Sequence, residues 1–384
     1  MLLLQDSTSP PLPSSCLTGY LVPTLKMVSP GKAVDAEFLN ALASRCPQLN
    51  WTLLSLNAPS LTQNDIVGFL KKCPSLDEIR LGGSLKIELS HALLRALALT
   101  ANIKCLDLDR VPIHDEAIHT ADLQNTPNPF PSLERLKLDC LSERTTTLLL
   151  PSVQATTELC IAVGRFLPNP PETYGSSLFS KLPLHLPNLL SLDIGIYSEL
   201  TISPTDLVAI GRLPRLKELH IVRNGVDGWI TIQNLNDTHI KSLVSGLADL
   251  QGLSLHCKED NLTTACLVII AKHCPCLRTL ALPSLDLDLL QLQLQRSPVT
   301  SFPLLTELVI NSFSPVLTGT GVSERCAPIL QAHFPKMVYL SCYTTKVTPE
   351  ARRFADAVRE AWARGRRAQR KRVRGFRRRM VDWS

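Results

Sequence analysis

Residues 73–81 read CPSLDEIRL, and this nine-residue phrase decides the fold. Pro74 has no backbone N–H and forces the residue before it out of the helical region, so a helix arriving from the N-terminal side must stop there. Beyond it Leu76, Ile79 and Leu81 follow as L-x-x-L-x-L, whose last apolar residues alternate with polar ones as in a strand buried on one face. The phrase recurs with its Pro one residue ahead of the same x-L: FPSLERLKL from Phe130, LPNLLSLDI from Leu186, LPRLKELHI from Leu213, CPCLRTLAL from Cys274, FPLLTELVI from Phe302 and FPKMVYLSC from Phe334. Copies without the Pro are TANIKCLDL from Thr100 and LADLQGLSL from Leu247, with a degenerate one, QATTELCIA, from Gln154. The copy from Cys46, CPQLNWTLLSL, reads as carrying two extra residues.

The first Leu-type positions are 49, 76, 103, 133, 156, 189, 216, 250, 277, 305 and 337, and successive spacings run from 23 to 34 residues. Units of that length accommodate a strand, a turn and a helix. The segments between phrases supply the helix: DAEFLNALASRCP, TQNDIVGFLKKCP, SPTDLVAIGRLP, NDTHIKSLVSGLADL and TTACLVIIAKHCP place apolar residues at helical spacing and open on Asp, Thr, Ser or Asn. One such unit cannot bury its own leucines, so neighbours must stack on it. The expected fold class is α/β: a curved solenoid of about eleven irregular repeats, with parallel strands on the concave face and helices on the convex face.

With the helix before it, the CPxLxxLxL phrase resembles the cysteine-containing, ribonuclease-inhibitor-like class of leucine-rich repeats found in F-box/LRR substrate receptors and their fungal relatives. The resemblance covers roughly positions 36–349. It implies a non-catalytic substrate-recognition or scaffold role, with a protein partner held on the concave face. The first 35 residues contain Pro and Ser but no F-box pattern, the element through which that family joins its adaptor.

Composition agrees with a leucine core. The 384 residues are 45% hydrophobic but only 5% aromatic, which favours many small equivalent layers and excludes wholesale disorder. The N-terminal MLLLQDSTSPPLPSSC lacks a basic residue before its apolar run, and no uncharged apolar stretch reaches the length of a membrane span, so a soluble intracellular chain is expected, with no membrane partner. The 12 cysteines are scattered within apolar patterns, as buried thiols are in a reducing compartment. Charge divides the chain: from Glu350 onward thirteen Lys or Arg face four Asp or Glu, a net +9 out of the total +6, which leaves −3 for the body. Three regions follow: an irregular segment 1–35, the repeats 36–349, and a basic helix and tail 350–384.

Alternation along each strand turns the residues between leucines outward. The outward set comprises Glu78 and Arg80, then Cys105, Asp107 and Asp109, then Arg135, Lys137 and Asp139, with Ser191, Asp193, Glu218, His220, Ser254, His256, Glu307, Asn311, Tyr339, Ser341 and Tyr343 further along. Charge concentrates in the second to fourth repeats, and a mixed-charge strip centred on Arg80, Asp107, Asp109, Arg135 and Lys137, with Glu78, Asp139, Glu218 and His220 beside it, is the candidate partner-binding surface. The alternative is solubility alone, with opposite charges on adjacent strands pairing with one another.

Nothing in the sequence assembles a nucleophile with a base, a carboxylate pair or a phosphate loop, and no enzyme, cofactor or small-molecule substrate is expected. Asp286 and Asp288 in DLDLDLL follow strand alternation and lack the Gly and Glu of a calcium loop. Cys274 and Cys276 beside His273 have no second pair at zinc spacing. The two glycines of LGGSLK near Gly82 mark a turn.

The tail has the sharpest chemistry. Phe354, Val358 and Trp362 recur every four residues and predict a helix that caps the last repeat. From Arg364 to Arg379 ten of sixteen residues are basic and none is acidic: Arg364, Arg366, Arg367, Arg370, Lys371, Arg372, Arg374, Arg377, Arg378 and Arg379. Such a run fits an import receptor first, giving a nuclear or nucleocytoplasmic location. Phosphates of a nucleic acid come second, and calmodulin or an anionic membrane third.

Overall fold

Each of the eleven phrases runs into a strand that begins two residues after its first Leu-type position. In the computed structural model the described residues are 2–3, 18–29, 34–55, 61–82, 89–109, 111, 113, 115–123, 125–139, 143–163, 178–197, 200–223, 230–258, 261–288, 302–314, 322–342, 353, 356–357, 360 and 363–364. The strands are β1 (Leu2–Leu3), β2 (Met27–Ser29), β3 (Trp51–Ser55), β4 (Glu78–Gly82), β5 (Cys105–Asp109), β6 (Arg135–Asp139), β7 (Glu158–Val163) and β8 (Ser191–Ile196). They continue as β9 (Leu200–Thr201), β10 (Glu218–Arg223), β11 (Ile230–Thr231), β12 (Gly252–Leu255), β13 (Cys257–Lys258), β14 (Thr279–Asp288), β15 (Glu307–Ser314) and β16 (Tyr339–Cys342). The helices are α1 (Ala36–Arg45), α2 (Gln63–Lys72), α3 (His91–Leu99), α4 (Asp115–Thr120), α5 (Glu143–Leu149), α6 (Leu178–His185), α7 (Pro204–Ala209), α8 (Asp237–Val244), α9 (Ala265–His273) and α10 (Val322–His333).

The chain forms two compact units, Met1–Ile202 with Arg223–Trp229, and Ser203–Val222 with Ile230–Ser384. In the first, β1 to β8 pair in chain order, every pair parallel. In the second, β10, β12, β14, β15 and β16 do the same, and β11 pairs with β13. Consecutive helices lie side by side, α1 through α6 in the first unit and α7 through α9 in the second. Both units therefore have the strand–turn–helix stacking of a leucine-rich-repeat solenoid.

The phrase explains the local geometry. In Cys73-Pro74-Ser75-Leu76 the Leu76 N–H donates to the Cys73 carbonyl at 3.2 Å, a turn whose second position Pro74 pre-sets. Leu49 and Cys46, Leu216 and Leu213, and Leu277 and Cys274 close the same turn at 3.0, 3.1 and 3.2 Å. The carbonyl of the next residue then accepts two N–H groups from the following repeat: Asn50 from Asp77 and Glu78, Asp77 from Lys104 and Cys105, Lys104 from Glu134 and Arg135. This double acceptor fixes the lateral register, and the Leu-type residues stack into a column in which Leu49, Leu76, Ile103 and Leu133 are at most 1% exposed.

Capping follows the sequence. Asp35 accepts from the Phe38 N–H at 2.7 Å, Thr62 and Asp65 close a reciprocal box, and Ser203 and Asn236 accept from the first turns of α7 and α8. The fifth expected cap works differently: Thr263 accepts from Ala265, while the Thr264 hydroxyl takes the Asp288 N–H at 2.7 Å. Cys46, Cys73 and Cys274 end helices with buried thiols. Burial pushes Cys73 up to about 11 and Cys274 up to about 12. After α7 and α8, Gly211 and Gly246 bring two turns into contact, because a Cβ on Gly246 would stand 2.0 Å from the Gly211 carbonyl oxygen.

Two readings of the phrase change. The copy at Cys46 carries no insertion: Thr52 stands opposite Ile79 and Leu54 opposite Leu81, so Thr52 occupies the inward leucine position. A further copy lies earlier, at Val22–Ser29, where Leu25 donates to the Val22 carbonyl at 3.0 Å around Pro23 and the chain enters β2. Leu25 and Val28, 6% and 0% exposed, extend the leucine column into the first 35 residues.

Candidate functional site

Strand register turns the charged strip into a grid on the solvent side of the first unit's sheet. One row runs Met27, Trp51, Glu78, Cys105, Arg135, Glu158 and Ser191; the next runs Leu53, Arg80, Asp107, Lys137, Cys160 and Asp193. Their inward neighbours Ile79, Leu81, Leu106, Leu108, Leu136 and Leu138 are at most 1% exposed, so the two faces have opposite character.

The charges on this grid pair with one another. Glu78 Oε1 lies 3.0 Å from both Nε and Nη2 of Arg80 on the same strand. Lys137 Nζ lies 3.2 Å from both carboxylate oxygens of Asp107, its register partner on the adjacent strand. Arg135 Nε donates to Glu158 Oε2, again in register, and the Glu158 carboxylate raises the Arg135 guanidinium further above its ordinary value. Asp107 is recessed, with its side chain 13% exposed against 39% for Lys137. Beside it Cys105 is buried, and its thiol is pushed up by that burial first and by the Glu78 carboxylate second.

Of the residues selected from sequence, Glu78, Arg80, Asp107, Arg135 and Lys137 share this grid. Asp109 and Asp139 end β5 and β6. Glu218 and His220 belong to the second unit, where Glu218 Oε2 lies 3.3 Å from His220 Nε2 on β10. There His220 stands opposite Ser254, and burial holds the His256 imidazole below its usual range, with His220 adding to the effect. In the tail Arg364 is helical, exposed and 3.8 Å from Glu360. Arg366, Arg367, Arg370, Lys371, Arg372, Arg374, Arg377, Arg378 and Arg379 lie outside the described residues, as do Phe354, Val358 and Trp362.

The sequence reading missed Trp51, Leu53 and Glu158 on this face, the first two because the copy at Cys46 was placed out of frame. Trp51 and Leu53 point outward, half-buried, and the Arg80 guanidinium carbon lies 5.9 Å from the centre of the Trp51 ring. Aligning Thr52 with the second leucine of the other copies was the signal that could have found them. Away from the grid, an uncharged cleft of about 700 Å³ is lined by Leu123, Thr126, Pro129, Phe130, Pro151 and Ser152. Asp286 and Asp288 sit on β14, paired with β15, and Cys274 opens the turn before β14 while Cys276 lies within it. Among the described residues no three His, Cys, Asp or Glu side chains gather where they could hold a metal ion, and no helix is long and apolar enough to cross a membrane.

No known family profile and no curated protein sequence matches this chain. Among solved structures, the crystal structure of the Rad7 and Elc1 complex in yeast is similar at 15% identity and a TM-score of 0.45, over 88% of this chain and 81% of that one. The leucine-rich repeat-containing protein LegL7 from Legionella pneumophila is similar at 11% identity and a TM-score of 0.39, over 94% and 97% of the two chains.

Proposed function

We propose that this chain is a non-catalytic protein-interaction module, a substrate-recognition or scaffold protein of the F-box/LRR-like kind, whose partner lies against the outer face of the first unit's sheet. The observation that carries this reading is the grid itself: half-exposed side chains held in strand register over a sealed leucine layer, a surface built for matching another surface. Glu78, Arg80, Asp107, Arg135 and Lys137 set its polar pattern, with Asp109 and Asp139 at the strand ends; Glu218 and His220 are the corresponding polar positions of the second unit. The Arg364–Arg379 run acts separately, as an address read by an import receptor, and places the protein in the nucleus.

A second reading rests on that same run, with ten basic residues in sixteen and no acid. Here the protein is nuclear and grips nucleic-acid phosphates through the tail, with affinity falling steeply as salt rises. Affinity purification of the full chain, of a chain lacking residues 364–384 and of a chain carrying Arg80→Glu with Lys137→Glu separates the two. Partners that survive nuclease and tail deletion but disappear on charge reversal support the interaction module. Retention abolished by nuclease or by tail deletion, and untouched by charge reversal, overturns it in favour of the second reading. Full nuclear accumulation of the tail-deleted chain overturns the address.

A further inference from the structure

The outer face of the first unit is not uniform. From β5 to β7 Lys137 is paired with Asp107 and Arg135 with Glu158. An approaching partner meets little uncompensated charge there, and covering these pairs would strip their water without supplying a new attraction. One edge of the same face is different. On β2 and β3, Met27, Trp51 and Leu53 face outward and are half-buried, and the register partners of Trp51 and Leu53 on β4 are the charged Glu78 and Arg80.

At Thr52 and Leu53 the polarity of β3 is inverted relative to its neighbours. Thr52 faces inward at 0% exposure with no hydrogen-bond partner for its hydroxyl, while Leu53 faces outward. Exchanging the two residue types would satisfy both the core and the solvent side. A strand that hides a hydroxyl and displays a leucine breaks local consistency, as strands do where function rather than stability sets the sequence. Trp51 beside Leu53 adds a large ring that loses little conformational freedom on binding, and Trp and Arg are among the residue types enriched where binding energy concentrates.

Arg80 closes the patch on the side of the charged grid. Its guanidinium stacks near the Trp51 ring and is held by Glu78 through Nε and Nη2, which leaves both hydrogens of Nη1 and one of Nη2 for a further acceptor. Its side chain is 45% exposed, so a carboxylate can reach it from solvent.

We infer that the partner anchors on this apolar edge, through a short segment in which a large aliphatic or aromatic side chain packs on Trp51 and Leu53 and a nearby carboxylate bonds Arg80. The ion-paired grid from Asp107 to Glu158 then rejects partners that cannot match it. This inference rests on the proposed interaction role of the same face and names its partner chemistry.

The test uses the full chain as bait for a phage-displayed library of random twelve-residue peptides. Selected peptides are synthesised and their Kd is read by fluorescence anisotropy. Expected sequences carry an aromatic or large aliphatic residue with Asp or Glu within the next two positions. Their affinity falls by about tenfold or more on Leu53→Ser and on Trp51→Ala, the scale of an interface anchor, and about threefold on Arg80→Gln. It falls less when Asp107→Asn and Lys137→Gln are made together, which removes that pair at constant net charge, than on Leu53→Ser. Circular dichroism checks that each variant is folded, and Leu53→Ser alone decides if Trp51→Ala is not. Peptides that lose binding with the Asp107 and Lys137 changes but not with Leu53→Ser leave the face as the interaction surface and overturn this inference. Peptides indifferent to all of these changes overturn both, and a library that yields none sensitive to Leu53→Ser overturns the inference.

Discussion

Thr52→Val should stabilise the first unit. The side chain is 0% exposed, stands in register between Val28 and Ile79, and its Oγ1 has no hydrogen-bond partner. Valine has nearly the same shape, so the exchange removes an unpaired hydroxyl without opening a cavity. Leaving such a group buried costs about 1–3 kcal/mol, and the methyl that replaces it adds the burial of one apolar carbon, so a gain of about 1–2 kcal/mol is expected. With a urea slope of about 2–3 kcal/mol per molar, the unfolding midpoint should rise by about 0.5 M. Amide exchange resolved by mass spectrometry should show the protection concentrated in β2, β3 and β4, because stability in a repeat array passes between neighbours. Leu53→Thr is the control on the other face and should change the midpoint little. An unchanged or lowered midpoint for Thr52→Val, or a large loss for Leu53→Thr, would mean that β3 sits in the opposite frame and that Leu53 is not part of an apolar docking edge.

Three further outcomes follow from the packing. Cys73 and Cys274 are held protonated to about 11 and about 12, whereas an unfolded thiol loses its proton near 9; stability should therefore be intact below about pH 8.5 and fall as pH rises from there toward those values, measured as urea midpoints across alkaline buffers. Gly246→Ala should destabilise the second unit by about 2 kcal/mol or more, read from urea unfolding, because its Cβ would meet the Gly211 carbonyl oxygen at 2.0 Å and backbone must move. Glu158→Gln breaks a pair whose side chains are 55% and 46% exposed, so its effect should stay under about 1 kcal/mol and disappear in 1 M NaCl.

The fold was legible because one device repeats. Proline ends a helix, the next apolar residue closes a turn, and the strand begins two residues later; Pro74, Pro187, Pro214 and Pro275 announce this without reference to anything distant. Where a copy departs from leucine, the frame is lost. Thr52 and Thr156 both stand at leucine-type positions in the buried column, and each hides its repeat behind a residue that sequence statistics assign to the surface. The copy at Val22–Ser29 lacks the last apolar residue and has no helical pattern before it, yet its Pro23 sits where every other Pro does. The charged positions could be read from alternation alone, but their pairing could not. It depends on which residues of separate repeats face each other, and Asp107 meets Lys137 only because the Asp77 and Lys104 carbonyls pin consecutive strands in one register.

That register also determines what the outer face can contribute to binding. The free energy available from Asp107 with Lys137, or from Arg135 with Glu158, is largely spent within the chain, and a partner placed over these pairs gains only what its own polar groups add after displacing water. Covering Trp51, Leu53 and Met27 releases about 25 cal/mol for each Å² of apolar surface, with no ion pair to break. The two regions are adjacent, one strand apart at Arg80, so on the proposed reading a single segment of a partner spans both. On that reading affinity follows mainly from the apolar edge, while selectivity follows from the grid, where a wrongly placed charge breaks the Asp107–Lys137 or the Arg135–Glu158 pair and leaves it buried. A partner bound by this face should accordingly tolerate changes of ionic strength that would detach any ligand held by the basic tail.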